Sequence, residues 1–210
     1  KVNLPTGPGD HITMGGGYAK GAVGYVASPL TQGNAFGFYG SSNRAGVYES
    51  IAFGHVFDSV YSVNPAGVVI ADQELTSAYG GYLAFEHHWS PEWRSSIFGG
   101  AQKVDYNATA NALLCSKYTG AAAAGPGLLV FAPGQACNMD TITYQAGTRT
   151  QWAPTKDLIL GLEYTFSRID TKNDGALFTP NAINNFKPIA VYEVKDQNLH
   201  VGYFTVRRYF

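Results

Sequence analysis

Charge is what this sequence has least of. Asp, Glu, Lys and Arg make up 14% of its 210 residues, where ordinary soluble domains carry about 25%. The 14 basic and 15 acidic residues nearly cancel, at a net charge of -1, and they form no basic stripe. Nucleic acid is therefore excluded as a partner, since a phosphate binder needs a clustered cationic surface. Long apolar runs are missing too. The nearest, Ala121 to Ala132, is interrupted by Gly125, Pro126 and Gly127 and falls short of the roughly 18 residues of a membrane helix. That does not exclude a membrane crossed by strands, which need about 9 to 11 residues each and alternate apolar with polar. Such alternation averages to near-neutral hydropathy, as in the mean hydropathy of -0.09 here. No CxxC or Cys/His ladder offers a zinc site. Gly15-Gly16-Gly17 and Gly80-Gly81 are followed by no Lys-Thr or Lys-Ser pair, so they are not phosphate loops. They read as places where a strand bends or an aromatic neighbour needs room, as does Gly99-Gly100. No initiator Met and no charged-then-apolar leader opens the chain, which predicts that Lys1 is a processed or cut end.

What the chain does have is glycine, 25 residues, and aromatic side chains at 14%. No segment carries apolar residues at three- and four-residue spacing, so no helix is predicted; period 2 dominates instead. From Asp157 to Arg168, Leu158, Leu160, Leu162, Tyr164 and Phe166 fall on one face, with Gly161, Glu163, Thr165 and Ser167 on the other. From Thr141 to Trp152, Ile142, Tyr144 and Trp152 oppose Gln145, Arg149 and Gln151. Ala153-Pro154-Thr155-Lys156 between them predicts a tight turn and hence a hairpin. A second hairpin runs from Thr76 to Trp89, turns at Ser90-Pro91-Glu92, and returns from Arg94 to Tyr106, where the period is ambiguous. Upstream, Val47 to Val63 and the Gly-rich Asp10 to Val26 are predicted as strands, and Asn198 to Phe210 closes the chain as another.

The connections alternate in length. They are short at the two turns and long at Pro65 to Glu74, Ala108 to Asp140 and Thr171 to Gln197. Transmembrane barrels show this asymmetry, with short periplasmic turns and long extracellular loops. Trp89, Trp93 and Trp152 all lie beside the short turns, where an interfacial aromatic girdle belongs; the alternative is tryptophans in the core of a sandwich. With Phe210 placed at the periplasmic end, the strands counted backwards are seven. The one at Asp10 then descends and Lys1 lies outside. Single-chain barrels have even counts, so the odd number predicts missing N-terminal strands. Pro29 to Asn43 is long enough to hide a further hairpin, giving seven to nine strands. Cys115 and Cys137 bracket a Gly, Ala and Pro-rich stretch, and in an exported protein they predict a disulfide closing a long extracellular loop over 108–140; two free buried thiols are the alternative.

At this point the residues resemble a family. Gly-Thr-Arg-Thr-Gln-Trp-Ala-Pro (Gly147 to Pro154), Lys-Asp-Leu-Ile-Leu-Gly-Leu-Glu (Lys156 to Glu163), Glu-Val-Lys-Asp-Gln (Glu193 to Gln197) and the terminal Val-Arg-Arg-Tyr-Phe (Val206 to Phe210) are similar to the C-terminal half of alphaproteobacterial general porins. His87 to Gly100 and a two-cysteine loop between the hairpins fit as well. The resemblance implies an all-β, transmembrane antiparallel barrel of sixteen strands, of which 1–210 is a single segment. It also implies a homotrimer in the bacterial outer membrane that passes ions and small hydrophilic solutes. Lipid, with lipopolysaccharide, and the barrel-assembly machinery, which reads the end at Phe210, are the implied partners. The constriction loop of the family belongs to the half that is not here. Arg208 stands where barrel proteins tend to carry an aromatic residue.

On the strands with clear alternation, the residues expected to line water are Glu86, Gln145, Arg149, Gln151, Glu163, Thr165 and Arg207. Arg149 and Glu163 lie on the like-facing positions of the two arms flanking the Pro154-Thr155 turn and are predicted to pair across the hairpin. That pair either shapes the field in the pore or is a structural salt bridge alone. Glu86 and His88 share a face while His87 points away, and no third metal ligand or convergent catalytic set is visible. No enzyme activity, metal or cofactor is therefore expected. Two rivals remain: a small closed barrel with a structural or adhesin role, its interior filled by side chains, and a soluble β-sandwich.

Overall fold

The computed structural model describes residues 1–27, 35–63, 66–119, 127–180 and 188–210. The two-residue β1 (Val2–Asn3) and the longer β2 (His11–Lys20) enter a large sheet, and β3 (Ala35–Gly40), β4 (Glu49–His55), β5 (Ser59–Val63) and β6 (Val69–Leu75) leave it. The hairpin β7 (Ser77–His88) and β8 (Trp93–Asp105) returns to it. A helix, α1 (Ala108–Thr119), and β9 (Gly127–Val130) leave again. The hairpin β10 (Thr141–Thr155) and β11 (Leu158–Thr171) returns, β12 (Leu177–Pro180) and β13 (Tyr192–Val194) depart, and β14 (Gln197–Arg208) ends the chain.

The large sheet, here the wall, has the order β1-β2-β7-β8-β10-β11-β14 and is antiparallel throughout. Among the described residues its two outer strands, β1 and β14, each pair on one side only. The excursions from its other end meet in a second sheet, β3-β4-β13-β12-β9, in which β13 runs parallel to β4 with Val194 opposite Ile51. The hairpin β5-β6 and α1 complete this cap. Most of the hydrophobic core lies in the cap. Phe178, Tyr192, Ile51 and Val194 are fully buried, and the Phe53 ring packs 4.9 Å from Phe178 and 5.6 Å from Tyr118. A disulfide joins Cys115 on α1 to Cys137, with Cα atoms 5.9 Å apart.

Four expectations change. Val47 to Val63 is not a wall strand: β4 sits inside the cap sheet with Ser50 through His55 buried. A strand apolar on both faces belongs between two dry layers, not between lipid and water. The strand predicted over Asp10 to Val26 stops at Lys20, and a 3-10 turn over Val23–Tyr25 follows. It also runs the other way, because His11 lies opposite Glu86, beside the short turn after His88. The wall therefore holds six long strands plus the two-residue β1 rather than seven long ones, and Val2, opposite Ile12, brings the start of the chain to the short-turn end. Finally, 108–140 contains a helix. The side chain of Asn107 accepts a hydrogen bond from the amide of Ala110 at 2.8 Å, as a helix N-cap does, and Ala110, Leu114, Cys115 and Tyr118 form its buried stripe.

Of the hairpin expected over Pro29 to Asn43, 29–34 lie outside the described residues, while Ala35–Gly40 is β3, paired with β4. Much of the stretch from Pro65 to Glu74 is strand β6 rather than loop. No helix among the described residues is long and apolar enough to cross a membrane.

Candidate pore-lining face

Period 2 along each strand, held by ladders whose register shifts only between Trp152 and Thr155 beside the last short turn, gives the wall two chemically distinct faces. On one, Leu162 lies opposite Phe204 and Thr150, and Ile97 lies opposite Phe85 and Thr148. Leu162, Phe204 and Ile97 are 64%, 71% and 61% exposed. A contiguous apolar face this open to water is unstable unless something apolar covers it. Its ends are marked. At the long-connection end Lys103 pairs with Asp105, and Arg168 with Asp170 and Asp196. At the short-turn end Trp93 stacks on Trp152, its register partner, at 5.4 Å, and Trp89 meets His87 edge-on at 4.3 Å. All three tryptophans lie on the apolar face, and none is in the core. Along β11 the apolar stretch from Leu158 to Phe166 measures roughly 27 Å at about 3.4 Å per residue, the scale of the about 25 Å apolar band of barrel proteins. Beyond it, Arg208 approaches Asp157 at 3.6 Å and lies over the ring of the fully exposed Phe210 at 5.4 Å.

The opposite face is polar. One row crosses the sheet from His11 through Glu86, Ser96, Arg149 and Glu163 to Tyr203. Arg149 and Glu163 are register partners and form an ion pair at 2.5 Å. Gln145, Gln151, Thr165 and Arg207 alternate onto the same face. Gln151 accepts a hydrogen bond from the Arg94 guanidinium at 2.8 Å, and Gln145 donates one to Ser167 at 3.3 Å. Arg207 faces this side from β14, opposite Ile159. Glu86 gains a neighbour that sequence reasoning missed: His11, on the adjacent strand, stands directly opposite it. Arg94 also lies 3.9 Å from Glu86, so acid and base alternate along the row.

Two glycines let aromatic rings lie flat against this face. A Cβ on Gly147 would fall 2.5 Å from the Phe98 ring and 2.7 Å from the Tyr164 carbonyl, and one on Gly15 would fall 2.6 Å from the Tyr82 ring. Above them, Tyr25, Val26 and Phe38, from the connection between β2 and β7, overhang Gly17 and Tyr82 and enclose a concavity of ≈ 760 Å³ with the wall. A constriction element was expected only in a half of the family fold outside this chain, yet residues of the cap overhang the polar face here.

The short-turn end is held by Asp10, whose side chain is buried. Its carboxylate accepts hydrogen bonds from the amide of His88 at 2.9 Å, the hydroxyl of Thr6 at 2.7 Å and the ring of His87 at 2.8 Å. These bonds, led by the amide, hold its pKa down at about 2. In the cap, burial and then the nearby Lys117 lower His55 to about 4, so its ring is neutral where it meets the hydroxyl of Tyr118.

A family model described as a porin subfamily matches residues 1–203. Comparison with curated proteins gives no match, and comparison with solved structures gives none either. The two-faced all-β wall and the family match agree, and the chain belongs to the porin subfamily, whose members form channels in bacterial outer membranes.

Proposed function

We propose that this chain is the C-terminal part of an alphaproteobacterial general porin and lines a water-filled barrel of sixteen strands through which ions and small hydrophilic solutes diffuse passively. The observation that carries the reading is the division of the wall, with exposed Leu162 and Phe204 on one face and the Glu86-Arg149-Glu163 row on the other. Lipid and lipopolysaccharide cover the first face. Water covers the second, where paired charges keep the passage hydrated and favour the entry of polar solutes over apolar ones. Glu86, Gln145, Arg149, Gln151, Glu163, Thr165 and Arg207 line the pore, and no reaction or cofactor is involved.

Trp89, Trp93, Trp152 and Phe210 sit at the periplasmic interface, and the cap, with its disulfide-closed segment 108–140, faces outside. Tyr25, Val26 and Phe38 narrow the passage at that end. The barrel assembles as a homotrimer after its last strand is read by the assembly machinery. Planar-bilayer recording on the full-length protein is the test. Discrete conductance steps are expected, with cation over anion preference raised when Arg149→Glu turns a paired cation into an anion. A folded protein that gives no steps overturns the reading. A heat-sensitive trimer in mild detergent separates it from a small closed barrel, which would run as a monomer.

A further inference from the structure

We propose that His11, Glu86 and His88 form a binding site for a divalent transition metal, Zn²⁺ or a cation of similar ligand preference, on the polar face at the short-turn end of the wall. The inference goes beyond channel function and does not depend on it. Register creates the site. His11 on β2 lies directly opposite Glu86 on β7, and His88, two residues further on, shares their face. One ligand atom from each residue lies within 4.8 Å of the other two. Ligands around a tetrahedral zinc at about 2.0 to 2.2 Å stand roughly 3.4 Å apart, so side-chain rotation within ordinary rotamer wells closes the difference.

The donor set has the right chemistry. Two imidazoles and one carboxylate with an open fourth position is a recurrent zinc arrangement. Mixed nitrogen and oxygen ligands favour zinc, nickel or copper over calcium and magnesium, which take oxygen throughout.

The surroundings orient the ligands. Nδ1 of His11 lies 3.0 Å from the carbonyl of Gly9. A carbonyl only accepts, so Nδ1 carries the hydrogen and Nε2 keeps its lone pair for a metal. A ligating histidine fixed by a backbone carbonyl is the usual outer arrangement of such sites. Nε2 of His88 and Oε1 of Glu86 already converge at 3.0 Å. A dication between them replaces the hydrogen they share, and the His88 ring then carries its hydrogen on Nδ1. Gly9 serves both histidines. Its φ of +95° is open to glycine, and a Cβ there would fall 3.0 to 3.2 Å from the His88 ring. Arg94, 3.9 Å from Glu86, is the competing cation, but its Nε is engaged by Gln151 at 2.8 Å.

The test is calorimetric titration of ZnCl₂ into the full chain folded in detergent, with CaCl₂ as the comparison. One zinc per chain is expected, with no calcium heat. Affinity should fall tenfold or more in His11→Ala and in His88→Ala, the scale on which metal shells respond to loss of a supporting group. Gly9→Ala should weaken binding although it removes no ligand. Amide-exchange protection of β7 and β8 certifies that each variant is folded. Cobalt substituted for zinc should give visible bands of a four-coordinate site, lost in His11→Ala. Zinc binding that is absent in the parent, or unchanged in both folded histidine variants, overturns the proposal.

Discussion

The wall and the cap solve the same problem in opposite ways. In the cap, Phe53, Phe178 and Tyr118 pack on one another, and Tyr192 packs against Tyr39 and Tyr48, excluding water as in a soluble domain. The wall has almost no interior: Leu162, Phe204 and Ile97 point out on one side, and Arg149 and Glu163 on the other. Its cohesion rests on five long ladders, and the described residues leave its apolar face exposed. The comparison teaches that apolar residues mean different things in the two regions. In the cap they make the core, and in the wall they choose the solvent.

The largest test of this contrast is Phe178→Ala. Phe178 is fully buried between Phe53 and Tyr118, and truncating such a ring costs about 3 to 5 kcal/mol. Amide protection should collapse in β4, β12 and β13 and persist in β10 and β11; loss of both together would show that cap and wall are one cooperative unit. Next is Leu162→Arg, at a position 64% exposed to water in the isolated chain. In a soluble sheet such a change is nearly neutral, whereas on a lipid-facing strand it costs about 2 to 4 kcal/mol near the midplane. Denaturant titration in lipid vesicles should show that loss, and a neutral result would mean that lipid does not cover this face.

The smallest effect is set by pH. His55, held at about 4 by burial in the cap, binds a proton less readily when folded than when unfolded, near 6.5. Its contribution is complete above the unfolded value and is lost as pH falls from there towards 4, which amounts to about 2 kcal/mol at pH 5. Cap exchange should quicken over that window while β10 and β11 stay protected, and His55→Gln should flatten the dependence. An equal acceleration in the wall would dissolve the distinction.

Much of the wall was legible in advance because its physics is local. The hairpin from Thr141 to Thr171 announces itself by alternation, and Arg149 does pair with Glu163, although the ladder turns about Lys156, beyond the expected Pro154-Thr155 centre. The cap was not legible. Val47 to Val63 alternates enough to pass for a wall strand, and only distant pairing, of β4 with β3 and Tyr192–Val194 and of β5 with β6, takes it out of the wall. The helix at Ala108–Thr119 carries a short buried stripe among alanines, which composition alone does not separate from a loop; the cap residue Asn107 was the available signal. His11 was invisible as a neighbour of Glu86, because the register joining them spans a 75-residue gap in sequence.

By itself the sequence determined that strands with two unlike faces would form and, to within a few residues, which segments pair as hairpins, since side-chain direction on a strand is fixed by a period of two. Only the tertiary structure decided which strands join the wall, which way β2 runs, that the long connections fuse into one cap, and that His11 meets Glu86 and His88. Those outcomes depend on pairing between segments far apart in the chain, where closure entropy and burial compete and no local pattern records the winner.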